Sequence, residues 1–248
     1  MGNKNLFVDT GLDKNSSIKQ IAAAMYDHLD QWGWKSSYTY KRKEPKQFKA
    51  KALPEKMTTT LRFNQYMYYI TCMFLDQGGN FDLTKREFKR YNNDKGLACV
   101  YYSVLFYLLI KEEDSETQVL NNKKIKYVQG FYRHKLKADI PDLIAPLLGG
   151  ETQLGIHAFV TIDEAVFDFT ISQQAHAFDL EQSYVAGNIP DGFEYFGYEE
   201  SITVVNDYWE MFAKEAGMHP KEWLLQHKIN ALKLAINDIK SFGQKGMV

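Results

Sequence analysis

The chain has 248 residues, of which 45% are apolar and 25% charged, a usage typical of a globular protein that buries a sizeable core. No run approaches the roughly 18 apolar residues of a membrane helix and no secretory signal opens the chain, so we expect a cytoplasmic protein without membrane contact. The net charge of −1 is unevenly distributed, because 14 acidic and no basic residues lie between Ala138 and Ala213.

The first predicted element is a helix over about residues 15–34, where a Ser/Asn cap precedes apolar residues at helical spacing. The segment Lys35–Lys56 follows, with 8 basic residues, 2 acidic residues and two prolines, and we predict a loop or an edge strand. Its lysines either form a patch for nucleic acid or an acidic partner, or complement the acidic half of the same fold. We favour the second interpretation, since no nucleic-acid-binding motif accompanies them.

The two cysteines lie in unlike predicted helices. Cys72 falls in an apolar stretch of a helix over about Thr59 to Gln77, which predicts a buried structural thiol. After a short predicted helix at about 82–91, Asn93 or Asp94 caps a helix that is apolar almost all round from 100 to 110. Such a helix belongs in the middle of a core, and Cys99 lies in its first turn.

The second half of the chain begins with a predicted strand at about 124–136 and an irregular segment broken by Pro and Gly at 138–151. A β-hairpin over Gly155 to Thr170, a Gly/Tyr-rich stretch to about Tyr198 and two helices complete it. Together the elements predict one α+β domain spanning 1–248. Its core covers about 57–200, with helical extensions at 15–34 and 200–242.

Several common site motifs are absent from the sequence. There is no Cys-x-x-Cys pair, no His-Glu-x-x-His helix, no dinucleotide-binding glycine pattern and no phosphate-binding loop. We therefore predict no metal and no cofactor. A disulfide between the two cysteines is not expected in a cytoplasmic protein.

The hairpin places a histidine and an aspartate on one face of the sheet. A two-residue turn at Asp163–Glu164 makes the numbers of opposed residues sum to 327, so Phe159 faces Asp168 and His157 is its diagonal neighbour, with centres about 7–8 Å apart. A carboxylate at that distance can bond one imidazole nitrogen and leave the other free. The hairpin can thus supply a general base and the group that orients it.

Cys99 is the group that such a base could activate. At the first turn of its helix, the positive end of the helix dipole lowers a thiol pKa and keeps the sulfur near the surface. Gly96 leaves the backbone bare where an acyl group would approach. The alternative is that Cys99 is a small core residue, His157 a satisfied strand residue and Asp168 a turn-adjacent carboxylate. We favour the catalytic interpretation, because helix cap, strand and register agree.

At these residues, over about Asn93 to Thr170, the chain resembles the transglutaminase-like superfamily within the papain-like cysteine fold. "KGLACVYYSVLFYLLI" resembles that family's Gly-x-Cys helix, with Ser103 as the small residue four positions after the cysteine. "YVQGFY", "HAFV" and "FDFT" resemble its strand beside the nucleophile, its His-Ala-Trp and its Asp-Pro-Thr. The resemblance implies a nucleophile helix packed on an antiparallel sheet, with Cys99 as nucleophile, His157 as base and Asp168 as orienting residue.

The chain departs from the family pattern at three positions. Gly96 is one residue too far from the cysteine, Phe159 replaces the tryptophan and Phe169 replaces the proline. The motif of arylamine acetyltransferases is absent, which argues against that branch. A second His-Ala-Phe at 176–178, followed by Asp179, is a rival source of the base without a paired strand.

Several residues are candidates for the oxyanion or substrate contacts. An amide or hydroxyl near the nucleophile could hold the oxygen of a tetrahedral intermediate. Asn93 lies six residues before Cys99, where papain-like enzymes often have a glutamine, so the resemblance implies an oxyanion role for its amide, but Asn93 is at least as well explained as a helix cap. The candidate set is Asn93, Gly96, Tyr102, Gln129 and Phe159.

Two functions follow from the sequence. The first is a cysteine hydrolase or acyltransferase that acts on an amide in a protein or peptide through a thioester, with a preference for basic or neutral substrates next to the acidic half. The second is a catalytically inactive member of the same fold that binds a protein partner or nucleic acid. Its surfaces would be Lys35–Lys56 and the aromatic stretch Tyr184–Tyr198.

Overall fold

A computed structural model describes residues 12, 16–31, 33–37, 44–53, 57, 61–75, 98–117, 120, 123–135, 152–171 and 184–245. These residues form five helices and a six-stranded antiparallel sheet, so the expected mixture of helix and sheet is observed. The helices are α1 Ile18–Gln31, α2 Leu61–Leu75, α3 Ala98–Thr117, α4 Ile202–Glu215 and α5 Pro220–Lys245. The strands are β1 Lys46–Phe48, β2 Ile125–Lys135, β3 Thr152–Ile162, β4 Ala165–Asp168, β5 Val185–Ala186 and β6 Phe193–Glu199.

The sheet has the strand order β1-β6-β2-β3-β4-β5 and curls until its two edges approach. Just past β1, the backbone N–H of Lys51 donates a 2.8 Å hydrogen bond to the carbonyl oxygen of Gly187, just past β5. The rings of Phe48 on β1 and Phe159 on β3 also meet, with centroids 5.3 Å apart. The curl therefore encloses one face of the sheet.

The two faces of the sheet carry different clusters because successive strand residues point to opposite sides. The outer face joins the main core, to which all five helices contribute. The enclosed face holds a smaller cluster that includes Val128, Tyr132, Phe159 and Tyr195. As the aromatic composition predicts, the largest wholly buried side chains of the described residues are all aromatic.

Helix α3 lies at the centre of the main core, as its all-round apolar sequence predicts. It contacts β2 and β3 as well as α2, α4 and α5. Nearly all of its side chains from Ala98 to Ile110 are buried. The start of α3 is consequently fixed by packing on both the sheet and the other helices.

Other predictions are met in part. β1 is the edge strand allowed for the basic segment, whereas β5 and β6 lie in the Gly/Tyr-rich stretch to which no strands were assigned. The prediction of a buried Cys72 is wrong, because its side chain is only partly buried. The segments at 82–91 and 138–151 fall outside the described residues. Within the described part of the chain, no helix combines the length and apolarity needed to cross a membrane.

The basic segment makes its described polar contacts within the same chain. The ammonium groups of Lys46 and Lys35 lie 2.5 Å from Glu164 and 3.8 Å from Asp207. That of Lys51 donates a 2.6 Å hydrogen bond to the carbonyl oxygen of Asp163. These contacts favour the interpretation that the lysines complement the acidic half of the fold.

Candidate active site

The β3–β4 hairpin has the register predicted from the sequence. Ile162 pairs with Ala165 and Val160 with Phe167, around a two-residue turn. Asp163 and Glu164 both have positive φ, 48° and 76°, which is the backbone geometry of the turn that matches strand twist. The carboxylate of Asp163 fixes this turn by accepting hydrogen bonds from the backbone N–H of Lys124 and the ammonium of Lys123.

The register brings His157 and Asp168 into direct contact on the enclosed face. His157 Nε2 lies 2.8 Å from Asp168 Oδ2, and both side chains are buried, at 3% and 1% exposure. Gly130 lies opposite His157 on β2, where a Cβ atom would come within 1.8 Å of the carbonyl oxygen of Phe196. A glycine is thus required beside His157 because β2 and β6 approach so closely.

The Asp168 carboxylate is saturated with hydrogen-bond donors. Its Oδ1 accepts from the backbone N–H and the hydroxyl of Thr170, at 2.9 and 3.1 Å. Its Oδ2 accepts from His157 and from the hydroxyl of Tyr195, also at 2.8 Å. Four donors are about the capacity of one carboxylate, so Asp168 is held in one orientation.

The contact shifts both pKa values towards an ion pair. Burial by itself lowers the pKa of His157, but the charge and hydrogen bond of Asp168, together with Cys99, outweigh burial and raise that pKa to about 10. Burial by itself raises the pKa of Asp168, but His157, Thr170 and Tyr195 lower it below its ordinary value. The pair is therefore imidazolium and carboxylate at neutral pH.

Cys99 completes the contact from the other side of the imidazole. The Cys99 side chain forms a hydrogen bond with His157. Since Nε2 faces Asp168, Nδ1 is the ring nitrogen left for the sulfur. The structure thus brings Cys99, His157 and Asp168 together in the order that the sequence predicts.

Ser103 joins the first part of α3 to β3 through a side-chain hydrogen bond. The β3–β4 ladder ends before Ala158, which in this register would face Phe169. The hydroxyl of Ser103 donates a 3.0 Å hydrogen bond to the carbonyl oxygen of Ala158. Ser103 lies about one helical turn beyond Cys99, and Ala158 directly follows His157, so this bond sets the distance between thiol and imidazole.

The burial of Cys99 differs from expectation. The helix-start position predicts a sulfur near the surface, yet Cys99 is only 5% exposed. The cause is the apolar packing of the first turn, in which Ala98 and Val100 are also buried. Only this small exposed fraction of Cys99 is open to a substrate.

Cys99 contributes to the pKa shifts of three tyrosines, to which the sequence analysis assigned no role. Tyr132 lies edge-on to His157, with ring centroids 5.7 Å apart. Burial is the main cause that raises the pKa of each of Tyr127, Tyr132 and Tyr208, and nearby charges, Cys99 among them, add to it, while a hydrogen bond from the Lys35 backbone opposes it at Tyr208. All three tyrosines therefore remain neutral. Tyr132 fits beside the histidine because its ring lies over Gly155, where a Cβ atom would be 2.3 Å from the ring.

The remaining predicted site residues have different surroundings. The Tyr102 hydroxyl is directed to α2, where it donates to the carbonyl oxygen of Met73 at 3.5 Å. The Gln129 amide donates to the Lys35 carbonyl oxygen at 2.6 Å and accepts from the Tyr208 hydroxyl at 3.0 Å. Phe159 packs wholly buried between the rings of Phe48 and Tyr195. Asn93, Gly96 and the rival histidine at 176 lie outside the described residues.

The site therefore combines a thiol, an imidazole and a carboxylate in one buried line, within a mixed helix-and-sheet protein. Among the described residues, no group of three or more His, Cys, Asp or Glu side chains is placed to hold a metal ion. Comparisons with protein-family models, curated proteins and solved structures found no significant match to the chain.

Proposed function

We propose that the protein is a cysteine-nucleophile amide hydrolase or acyltransferase of the transglutaminase-like kind, acting on a protein or peptide. The observation that supports this proposal is that the His157 side chain contacts both Cys99 and Asp168. A thiol, a base and an orienting carboxylate in that order are the parts required for acyl transfer through a thioester.

In the first step the Cys99 thiolate attacks the carbonyl carbon of the amide, and the carbonyl electron pair moves to oxygen. Collapse of this intermediate breaks the C–N bond, while His157 gives its proton to the leaving nitrogen. The products are a free amine and a thioester on Cys99. Water or an acceptor amine then attacks the thioester, gives a proton back to His157 and releases the thiolate.

The causes of the His157 pKa shift suit this sequence of steps. Asp168 and Cys99 both raise the pKa of His157 in the resting protein. Once the thiolate forms the C–S bond, its contribution disappears and the pKa falls. The imidazolium thus becomes a stronger acid at the moment when the leaving nitrogen needs a proton.

Ion pairs within the chain weaken the expected preference for basic substrates. Five described acidic residues of the acidic half are paired with lysine or arginine, which reduces the negative charge available to attract a substrate. The described pairs involve Asp163, Glu164, Glu194, Glu199 and Asp207.

A second candidate function is a catalytically inactive binding protein, and the burial of the three side chains favours it. With Cys99 and His157 almost fully buried, the same contacts would serve as a polar anchor between α3 and the sheet. Three lysines of the basic segment, Lys35, Lys46 and Lys51, contact the protein itself, which weakens the case for nucleic acid as the partner.

Alkylation by iodoacetamide separates the two candidates. If Cys99 is an activated thiolate, it reacts at pH 6 at least about tenfold faster than Cys72, although Cys72 is the more exposed thiol. His157→Gln should abolish that advantage and leave the rate at Cys72 unchanged. Equal, slow labelling of both thiols supports the binding protein.

A covalent intermediate is the direct test of acyl transfer. A lysate incubated with the protein should leave an acyl adduct on Cys99, detected by intact mass and released by hydroxylamine as a thioester. Cys99→Ser and Cys72→Ser are the matched pair, since only the first should lose the adduct. A reactive Cys99 that never carries an acyl group would contradict the proposed reaction.

A further inference from the structure

The longest described helix, α5, carries an apolar stripe on its solvent side. Four of the exposed large hydrophobic side chains of the described residues lie along it: Leu225, Ile229, Leu232 and Ile236, at 55, 36, 47 and 51% exposure. Their spacing of four, three and four residues places them on one face of a helix. Exposed apolar side chains that form a line mark a contact surface more often than scattered ones do.

The fold does not need this stripe, because α5 is attached through its opposite face. Trp223, His227 and Ala231 are almost fully buried in the main core. The two ring nitrogens of His227 also contact the hydroxyls of Tyr69 and Tyr101 on α2 and α3. The stripe is therefore an additional feature of a helix that is already anchored.

The residue types along the stripe match a two-stranded coiled-coil seam. Written as a heptad, Leu225 and Leu232 occupy position d and Ile229 and Ile236 occupy position a. Isoleucine at a with leucine at d favours pairing with one further helix. A seam restricted to a and d is also narrower than the broad apolar face of a helix that lies on a membrane.

The charges beside the seam indicate which kind of helix would pair with the stripe. In this heptad, positions g and e hold Lys221, Lys228, Lys233 and Lys240, and no acidic residue from 221 to 240 occupies either position. Lys228 already contacts Glu112 at 3.0 Å, while Lys221 and Lys233 are exposed. A second copy of the chain would oppose lysine to lysine across the seam, whereas glutamates at e and g of a partner would pair with them.

We propose that the α5 stripe is a docking surface for an acidic amphipathic helix of another protein. The apolar a and d residues of the partner helix cover Leu225, Ile229, Leu232 and Ile236. The glutamates of the partner helix face the lysines on either side of the stripe. Because α5 is already folded and fixed, the partner alone has to be ordered on binding. This surface is independent of the reaction proposed for Cys99.

The test uses a three-heptad peptide with Ile at every a, Leu at every d and Glu at every e and g, with binding measured by fluorescence anisotropy. A second peptide with Lys at e and g is the comparison. We expect the protein to bind the Glu peptide at least about tenfold more tightly than the Lys peptide. Equal binding of the two peptides, or no binding of the Glu peptide, would overturn the proposal.

Two double variants identify the surface. Ile229→Ala with Leu232→Ala should weaken binding of the Glu peptide about tenfold or more, without loss of helix, because alanine favours a helix at exposed positions. Lys221→Glu with Lys233→Glu should remove most of the peptide preference, since two acidic residues then stand beside the two remaining lysines. Lys19→Glu with Lys49→Glu makes the same change in net charge at exposed positions outside α5 and should leave the preference unchanged.

Two further measurements address other occupants of the stripe. Sedimentation of the protein alone reports self-association, and flotation with vesicles of phosphatidylserine and phosphatidylcholine reports membrane binding. The proposal predicts that neither depends on Ile229 and Leu232. A dimer or a vesicle complex that the double alanine variant abolishes would replace the acidic helix as the occupant.

Discussion

The Ser103 hydroxyl donates its hydrogen bond to the carbonyl oxygen of Ala158 at the point where the β3–β4 ladder ends. The bond substitutes for the next ladder bond and fastens α3 to the strand that carries His157. A buried hydroxyl that contacts a backbone carbonyl stabilises a fold by about 1 kcal/mol.

Ser103→Ala should therefore lower the free energy of unfolding by about 1 kcal/mol, measured by urea denaturation. It should also slow alkylation of Cys99, since the thiol is no longer held at its distance from His157. Ser115→Ala is the matched control on the same helix, because its exposed hydroxyl bonds only the Glu112 carbonyl oxygen of its own helix. Equal effects of the two variants would show that the Ser103 bond does not position α3.

Tyr195→Phe removes one donor from the Asp168 carboxylate and keeps the aromatic ring. Because hydrogen bonds to charged groups are stronger than neutral ones, we expect a loss of about 1.5–3 kcal/mol in the free energy of unfolding. The pKa of Asp168 should rise, since Tyr195 helps to lower it. Tyr184→Phe, at an exposed ring stacked on Phe169, is the control and should change stability by less than about 0.5 kcal/mol.

Asp168→Asn should lower the pKa of His157 well below about 10, because Cys99 alone then opposes the effect of burial. NMR titration of the imidazole measures this shift directly. Under the proposed reaction, alkylation of Cys99 at pH 7 should slow, since less imidazolium remains beside the sulfur. A His157 pKa unchanged from that of the wild type would contradict the assignment of Asp168 as its partner.

His157 also makes the free energy of unfolding depend on pH. His157 has a folded pKa of about 10, above its unfolded value of about 6.5, so its stabilising contribution is complete below pH 6.5 and is lost as pH rises towards 10. The free energy of unfolding of the wild type should decline between pH 7 and 9.5. Asp168→Asn should remove most of that slope, and a slope that persists would have to come from other groups.

His227 should make the free energy of unfolding fall as the pH is lowered, the opposite of the dependence expected from His157. Burial lowers its pKa from about 6.5 to about 3, so between these values the unfolded chain binds a proton that the folded one does not. The fold should lose about 2 kcal/mol between neutral pH and pH 5 through this group. His227→Gln should reduce that acid sensitivity, whereas His219→Gln, at an exposed position before α5, should not. If the free energy of unfolding depends on pH in the same way in the wild type and in His227→Gln, His227 is not the source of the acid sensitivity.

Local sequence patterns predicted the parts of the site that depend on short-range geometry. The two-residue turn at Asp163–Glu164 sets the strand register, and the register alone makes His157 and Asp168 neighbours. In the same way, the all-round apolar sequence of α3 requires a central position, which brings Cys99 to the sheet. Strand β6 was missed because its partners β1 and β2 are distant in the chain and because Gly197 weakens the strand pattern.

The sequence by itself determined the hairpin, the central helix and the residue types that meet between them, because turn geometry and periodicity act over a few residues. Only the tertiary structure decided that Tyr195 and Thr170 saturate Asp168, that Ser103 fastens α3 to Ala158, and that Cys99 is buried. Contacts such as Tyr195 with Asp168 depend on how the sheet curls, and that curl depends on edge strands far apart in the chain. No local pattern encodes such a distance.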